Sequence, residues 1–127
     1  MRTVLRSEGG FTLIELVIVI VILGILASVA IPRYEDMREQ ARVATLKGQL
    51  GSIRSAVAIQ YARSALNNSA GFPTLNGTIF ADGSVPKEPV MNSNAVKTTA
   101  GIDNAGGWQY TQPSGMVKAN LNAYSSY

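Results

Sequence analysis

The chain has 127 residues, a net charge of +3, no cysteine and no histidine. That length suits one modest domain, and without cysteine it excludes disulfides and thiolate metal sites. Lacking histidine, it is also without the commonest general base, proton shuttle and metal ligand, so no catalytic function is expected. The basic residues are scattered rather than gathered into a patch with interleaved aromatics, which argues against direct nucleic-acid binding.

Residues 1–10 are short, polar and weakly basic through Arg2 and Arg6. An apolar run follows at once, and Phe11 to Ile31 makes 21 residues. As a helix this run spans about 30 Å, the thickness of a bilayer's hydrocarbon core. Its many β-branched residues favour strands in water, but a single span in lipid must satisfy its backbone internally and is therefore helical. A core helix, a cleaved secretory signal ending at Ser28-Val29-Ala30 and a plain anchor are the competing readings of such a run. Arginines flank both sides of it, so charge bias alone does not set its orientation.

Glu15 is the informative residue. A carboxylate inside an apolar span costs about 2.5–3.5 kcal/mol on insertion scales and calls for a partner. The next basic residue is Arg33, beyond the run. Were the chain cut between Gly10 and Phe11, a new α-amino group would lie four residues from Glu15 on the same helical face. In a stack of such helices a neighbour's amino group could meet the carboxylate instead.

Gly10-Phe11-Thr12-Leu13-Ile14-Glu15 resembles the signature of type IV prepilins and of the pseudopilins of type II secretion. Gly9, the short charged leader and Pro32, at position 22 after the cut, fit the same resemblance, which covers roughly residues 1–45. The resemblance implies cleavage after Gly10 by a dedicated prepilin peptidase and methylation of the Phe11 amine. It also implies a role for Glu15 in pairing with a neighbouring N-terminus. By the same resemblance, a cytoplasmic ATPase and a membrane platform drive assembly of a helical homo-oligomer.

Pro32 removes a backbone hydrogen bond and clashes with the preceding turn, so a kink or local melting is expected there, loosened further by Gly24 and Ser28. Beyond it a proline-free stretch runs from Arg33 to about Leu66. Leu46, Leu50, Ile53, Val57 and Tyr61 form a stripe at spacings of three and four that can pack on a sheet. Tyr34, Met37, Ala41 and Ala44 fall on roughly the opposite side. Gly48 and Gly51 are unfavourable in a helix interior and permit close packing or bending.

Asn67-Asn68-Ser69-Ala70-Gly71 has helix-ending chemistry. Asn76-Gly77 predicts a hairpin turn leading into a strand at Thr78-Ile79-Phe80. Pro86 and Pro89 predict an irregular loop. The clearest strand pair is Trp108-Gln109-Tyr110 and Met116 to Leu121 across a Gln112–Gly115 turn. In the second strand Val117, Ala119 and Leu121 alternate with Lys118 and Asn120 as in a half-buried strand. This hairpin is similar to the terminal hairpin of some secretion pseudopilins. Many pilins carry a C-terminal disulfide loop, which this chain cannot form. Major pseudopilins often hold calcium with a C-terminal acidic cluster, whereas here Asp103 is the last acidic residue. Asp82 and Asp103 therefore read as turn residues, and no cofactor is expected.

The expected fold is α+β: a long N-terminal helix, its apolar half protruding, packed on a small antiparallel sheet. The expected segments are a leader at 1–10, a transmembrane and assembly helix at 11–32, its amphipathic continuation at 33–67 and a β-rich domain at 68–127. The expected function is a structural filament subunit, with a secretion pseudopilin favoured over a type IV pilus pilin for adhesion, motility or DNA uptake. A monomeric membrane-anchored binding domain is the alternative of a different class. The expected location is the bacterial inner membrane, with the domain in the periplasm, and then a periplasmic or extracellular filament.

Overall fold

The computed structural model describes residues 9–127, so most of the leader, including Arg2 and Arg6, lies outside the described residues. Helix α1 runs from Leu13 to Leu66 and is uninterrupted at Gly24 and Pro32. The local melting expected at the proline is not seen. The chain divides after Arg38 into two compact units, each described by itself.

In the first unit every side chain from Leu13 to Ile31 is exposed. The segment is long and apolar enough to cross a membrane. It therefore owes nothing to a core of its own.

The second unit runs from Glu39 to Tyr127 and holds the core. Leu46, Leu50, Ile53 and Val57 of α1 are buried, as their spacing predicts. They meet Trp108, Tyr110, Val117 and Ala119 of the sheet together with Leu75 and Val85. Tyr61, the last residue of the predicted stripe, stays exposed and stacks on Phe72 with ring centroids 4.6 Å apart. The helix closes with Asn68 in the left-handed region, φ 58°. Ser69 N–H donates to the Ser64 carbonyl at 3.0 Å and Asn68 N–H to that of Ala65 at 3.2 Å. This pair of bonds satisfies the last carbonyls of the helix.

The sheet has three short strands, β1 (Val96–Lys97), β2 (Trp108–Thr111) and β3 (Met116–Ala119), in that order. β2 and β3 form the expected antiparallel hairpin, with Trp108 opposite Ala119 and Tyr110 opposite Val117. β1, however, runs parallel to β2, so the sheet is mixed rather than wholly antiparallel. The crossover is short because β1 is only two residues long and because left-handed turns at Gly101, Asn104, Gly106 and Gly107 fold the link back tightly. A Cβ on Gly107 would strike the Ala95 carbonyl.

The hairpin expected at Asn76-Gly77 does not form. Residues Gly77–Ile79 make a single 3-10 turn, capped by the Asn76 side chain, which accepts from Thr78 N–H at 3.1 Å. Gly77 does not take the positive φ that a two-residue hairpin turn of that sequence requires. It instead packs against the Gly83 carbonyl, where a side chain would collide. The irregular loop around Pro86 and Pro89 is as expected, and it contains a buried carboxyl group. Glu88 accepts from Val90 N–H at 2.8 Å and Met91 N–H at 2.7 Å. Asn120, expected to face outward, is buried. Its amide donates to Asp103 at 2.6 Å and to the Gly106 carbonyl at 3.1 Å, clasping the link between β1 and β2.

Candidate functional site

The candidate site is the start of α1. Gly9 through Thr12 precede the helix and are exposed, so the Gly10–Phe11 peptide bond lies outside regular structure. Phe11 is 93% exposed. The expected cleavage and methylation positions therefore sit on accessible backbone.

Thr12 caps the helix. Glu15 N–H donates to Thr12 Oγ1 at 3.3 Å, while Thr12 N–H and Thr12 Oγ1 donate to Glu15 Oε2 at 2.8 Å and 2.9 Å. This reciprocal arrangement is a capping box, in which a hydroxyl residue and an acid three positions on satisfy each other's backbone. The box changes the reading of Glu15. A partner for its carboxyl group was expected only from a neighbouring chain or from a new terminus, yet the chain's own first turn supplies one. Backbone N–H groups at a helix start carry partial positive charge, so they can hold an acid where no basic side chain is near. The Thr12-x-x-Glu15 spacing is the local sequence signal for this box.

Phe11, Glu15, Leu16, Ile18 and Val19 line an open groove along this end of the helix, with one carboxyl group on otherwise apolar walls. Gly24 and Pro32 lie further along α1. Pro32 leaves the Ser28 carbonyl without its helical donor, and the Ser28 hydroxyl donates to the Ile25 carbonyl at 2.7 Å.

The second unit contains groups of another kind. Asp103 accepts from Lys97 Nζ at 2.8 Å, from Asn120 Nδ2 at 2.6 Å and from Ala105 N–H at 3.1 Å. The Lys97 ammonium, with those further donors, holds the Asp103 carboxyl well below the usual carboxylate range. Asp82 accepts from Ser84 N–H at 3.3 Å. Both aspartates thus shape turns, as their sequence context predicts. No cluster of three or more metal-ligating side chains occurs among the described residues. Arg54 donates to the carbonyls of Val117 at 3.0 Å and Tyr127 at 2.7 Å, and Lys47 lies 4.4 Å from the centre of the Tyr127 ring. These basic groups tie the end of the chain to α1.

A family model described as a prokaryotic N-terminal methylation motif matches residues 5–31. The type IV narrow pilus major component of Thermus thermophilus is 40% identical over 96 residues, 76% of this chain and 72% of that protein. The type II secretion system core protein G of Pseudomonas aeruginosa is 44% identical over 52 residues, 41% of this chain and 37% of that protein. The type IV major alpha-pilin of Moraxella bovis is 43% identical over 53 residues, 42% of this chain and 33% of that protein. The chain thus spans about a third of the length of the last two. No solved structure matches it significantly. A methylation motif at the capped helix start, and a likeness to a pilus component that continues beyond that motif, place the chain in the type IV pilin-like family.

Proposed function

We propose that the chain is a non-catalytic filament subunit, cleaved after Gly10 by a prepilin peptidase and methylated on the Phe11 amine. The segment Phe11–Ile31 holds it in the inner membrane, with the second unit outside the cytoplasm, until a platform and a cytoplasmic ATPase drive assembly. The segment then buries itself among copies of the same chain. The carrying observation is that the large apolar side chains from Leu13 to Ile31 are all exposed in the chain's own fold. They gain their burial elsewhere, first in lipid and then in a bundle. The capping box involves no atom before the Thr12 amide, so cleavage leaves it intact. Glu15 is then positioned beside the new terminus, on its own chain or on a neighbour's.

A surface pilus is the favoured setting. The 96 residues shared with the pilus component exceed the residues up to the end of α1, so that likeness extends into the second unit. A secretion pseudopilus is the second reading, supported by the likeness to core protein G and by the β2–β3 hairpin.

Filaments sheared from the native bacterium test the proposal. Their subunit should begin at N-methylated Phe11 by intact mass and N-terminal sequencing. Glu15→Ala should leave cleavage and membrane insertion intact while filaments become few or absent by electron microscopy. A mature start at Ile31 would show an ordinary signal peptide and end the proposal. A monomer that is never found in filaments would favour the anchored binding domain.

A further inference from the structure

The stripe of α1 that enters the core breaks at its fifth member. Leu46, Leu50, Ile53 and Val57 are buried, yet Tyr61 is 37% exposed. Its ring stacks on Phe72 with an angle of 24° between the two planes. With Ala70, Gly71, Gln112 and Pro113, the two rings line an open groove of about 550 Å³ within the second unit. Small-molecule sites run from about 300 to 1,000 Å³, so the groove has the size of one.

The surrounding chain sets the aromatic pair in place. Gly115, at φ 66°, leaves room where a Cβ would strike the Phe72 ring. Gln112 Nε2 donates to the Phe72 carbonyl at 3.3 Å. The hydroxyl of Tyr110, a core residue, donates to the Pro73 carbonyl at 2.6 Å. The loop that carries Phe72 is thus tied at two successive residues to the β2–β3 hairpin. A platform fixed before a ligand arrives lowers the ordering cost of binding.

The lining selects a class of ligand. None of the six residues is charged, so a phosphate, a carboxylate or an ammonium group finds no counter-charge there. The rings offer a flat apolar surface. Around it stand the Tyr61 hydroxyl, the Gln112 amide and the main chain of Gly71, which between them both donate and accept. A wholly apolar ligand would leave these groups unpaired. A proline-rich peptide would bring acceptors and few donors. A sugar ring satisfies both halves: its C–H face lies on an aromatic ring, while the hydroxyls at its edge donate and accept. β-linked sugars of the glucose configuration suit a flat platform best, because their substituents are equatorial and leave the C–H faces clear.

We propose that the Tyr61–Phe72 groove binds a neutral β-linked glycan, with one glucose or N-acetylglucosamine ring stacked on the aromatic pair. The contact lies within a single second unit, so it does not rest on the filament reading. Repetition of the groove along a filament would multiply a weak affinity.

The test uses the full chain, labelled with 15N, in lauryl dimethylamine oxide micelles, since a sugar-headed detergent would compete. Cellotetraose and the corresponding N-acetylglucosamine tetramer are the probes, and their relative affinities distinguish the two sugars. The amide signals of Gly71, Phe72 and Gln112 should shift with a Kd of about 1 mM, as suits an open groove. Tyr61→Ala should weaken binding about tenfold or more by removing the outer ring. Gly71→Trp is the second variant. A Cβ on Gly71 meets nothing within 4 Å, so the added ring should fill the groove and abolish binding while the thermal midpoint stays unchanged. No shift with either tetramer up to about 10 mM overturns the proposal. So do shifts that persist undiminished in both variants. Shifts at these amides from a proline-rich decapeptide and from neither sugar overturn it in favour of a peptide groove.

Discussion

From Leu13 to Ile31 no apolar side chain is buried, whereas from Leu46 to Val57 four are almost wholly so. Both segments belong to one helix, and they use apolar residues in opposite ways. In the first, apolar residues occupy nearly every position, because the surroundings are apolar on all sides and no face needs to differ. In the second they recur at intervals of three and four, because only one face meets the sheet. Hydrophobicity without a period points outward, to lipid or to other chains, and hydrophobicity with a period points inward, to the chain's own core.

The sharpest way to break this comparison is to make the same truncation in both segments. Leu50→Ala should destabilise the second unit by about 2–5 kcal/mol, since it leaves a cavity against Trp108 and its neighbours. Leu23→Ala should leave the unfolding of that unit unchanged and act only on membrane retention and filament yield. Chemical denaturation in micelles, followed by Trp108 fluorescence, separates the two. Equal losses from both variants would mean that the exposed segment supports the domain after all.

The next effect is smaller and lies in the loop at Pro86. Glu88→Gln keeps one acceptor for Val90 and Met91 and turns an amide donor towards the other N–H. One half-buried donor then loses its partner, at about 1 kcal/mol, the low end of the range for an unsatisfied group. Unchanged stability in the same denaturation assay would show that a water replaces the lost acceptor.

What could be read in advance follows the same division. The apolar run, the core stripe of α1, its end at Asn67 and Asn68 and the β2–β3 hairpin each have a local chemical signature, and each is present. The parallel strand β1 has none, because two residues are too few for alternation. It exists because the Ala95 carbonyl accepts from Trp108 N–H at 2.8 Å, a contact set by the tight turn at Gly106 and Gly107. The burial of Glu88 and Asn120 was equally invisible, since their partners, backbone groups and the Asp103 carboxylate, are brought near by loops. Asn76-Gly77 misled because the same dipeptide serves a capped 3-10 turn when the following chain folds back. At the helix start the expected cleavage junction rests on the family resemblance, while the capping role of Thr12 has its own local signal in its spacing to Glu15.

Thr12→Val tests the partnership of Thr12 with Glu15. It removes the hydroxyl that accepts from Glu15 N–H and donates to Glu15, and it keeps the Thr12 N–H bond. The loss of about 1 kcal/mol should be confined to the first turn of α1. Hydrogen exchange in micelles should quicken at residues 13–16, with denaturation of the second unit unchanged. Exchange equal to that of the unaltered chain would show that the box does not hold the first turn.

The smallest effect belongs to Asp103 in the second unit, and it depends on pH. Its carboxyl is held below its ordinary value near 3.8, first by the Lys97 hydrogen bond and then by the Ala105 and Asn120 donors. A group whose pKa is lower in the folded state binds its proton less readily there than when unfolded. Its contribution is therefore present above the unfolded value and fades as the pH falls through the folded one. Asp103→Asn keeps a carbonyl oxygen that can accept from both Ala105 and Asn120 but loses the charge facing Lys97. The thermal midpoint of the unaltered chain should exceed that of Asp103→Asn at pH 7 and pH 5. Below about pH 4 the gap should narrow as protons begin to bind the unfolded aspartate. Part of the gap should also close in 1 M salt, because the pair lies near the surface and ions screen it. The remainder should persist, because the amide nitrogen that replaces Oδ2 cannot accept from Lys97 Nζ at any salt concentration. A gap that stays constant from pH 7 down to pH 2 would show that Asp103 acts through turn geometry alone.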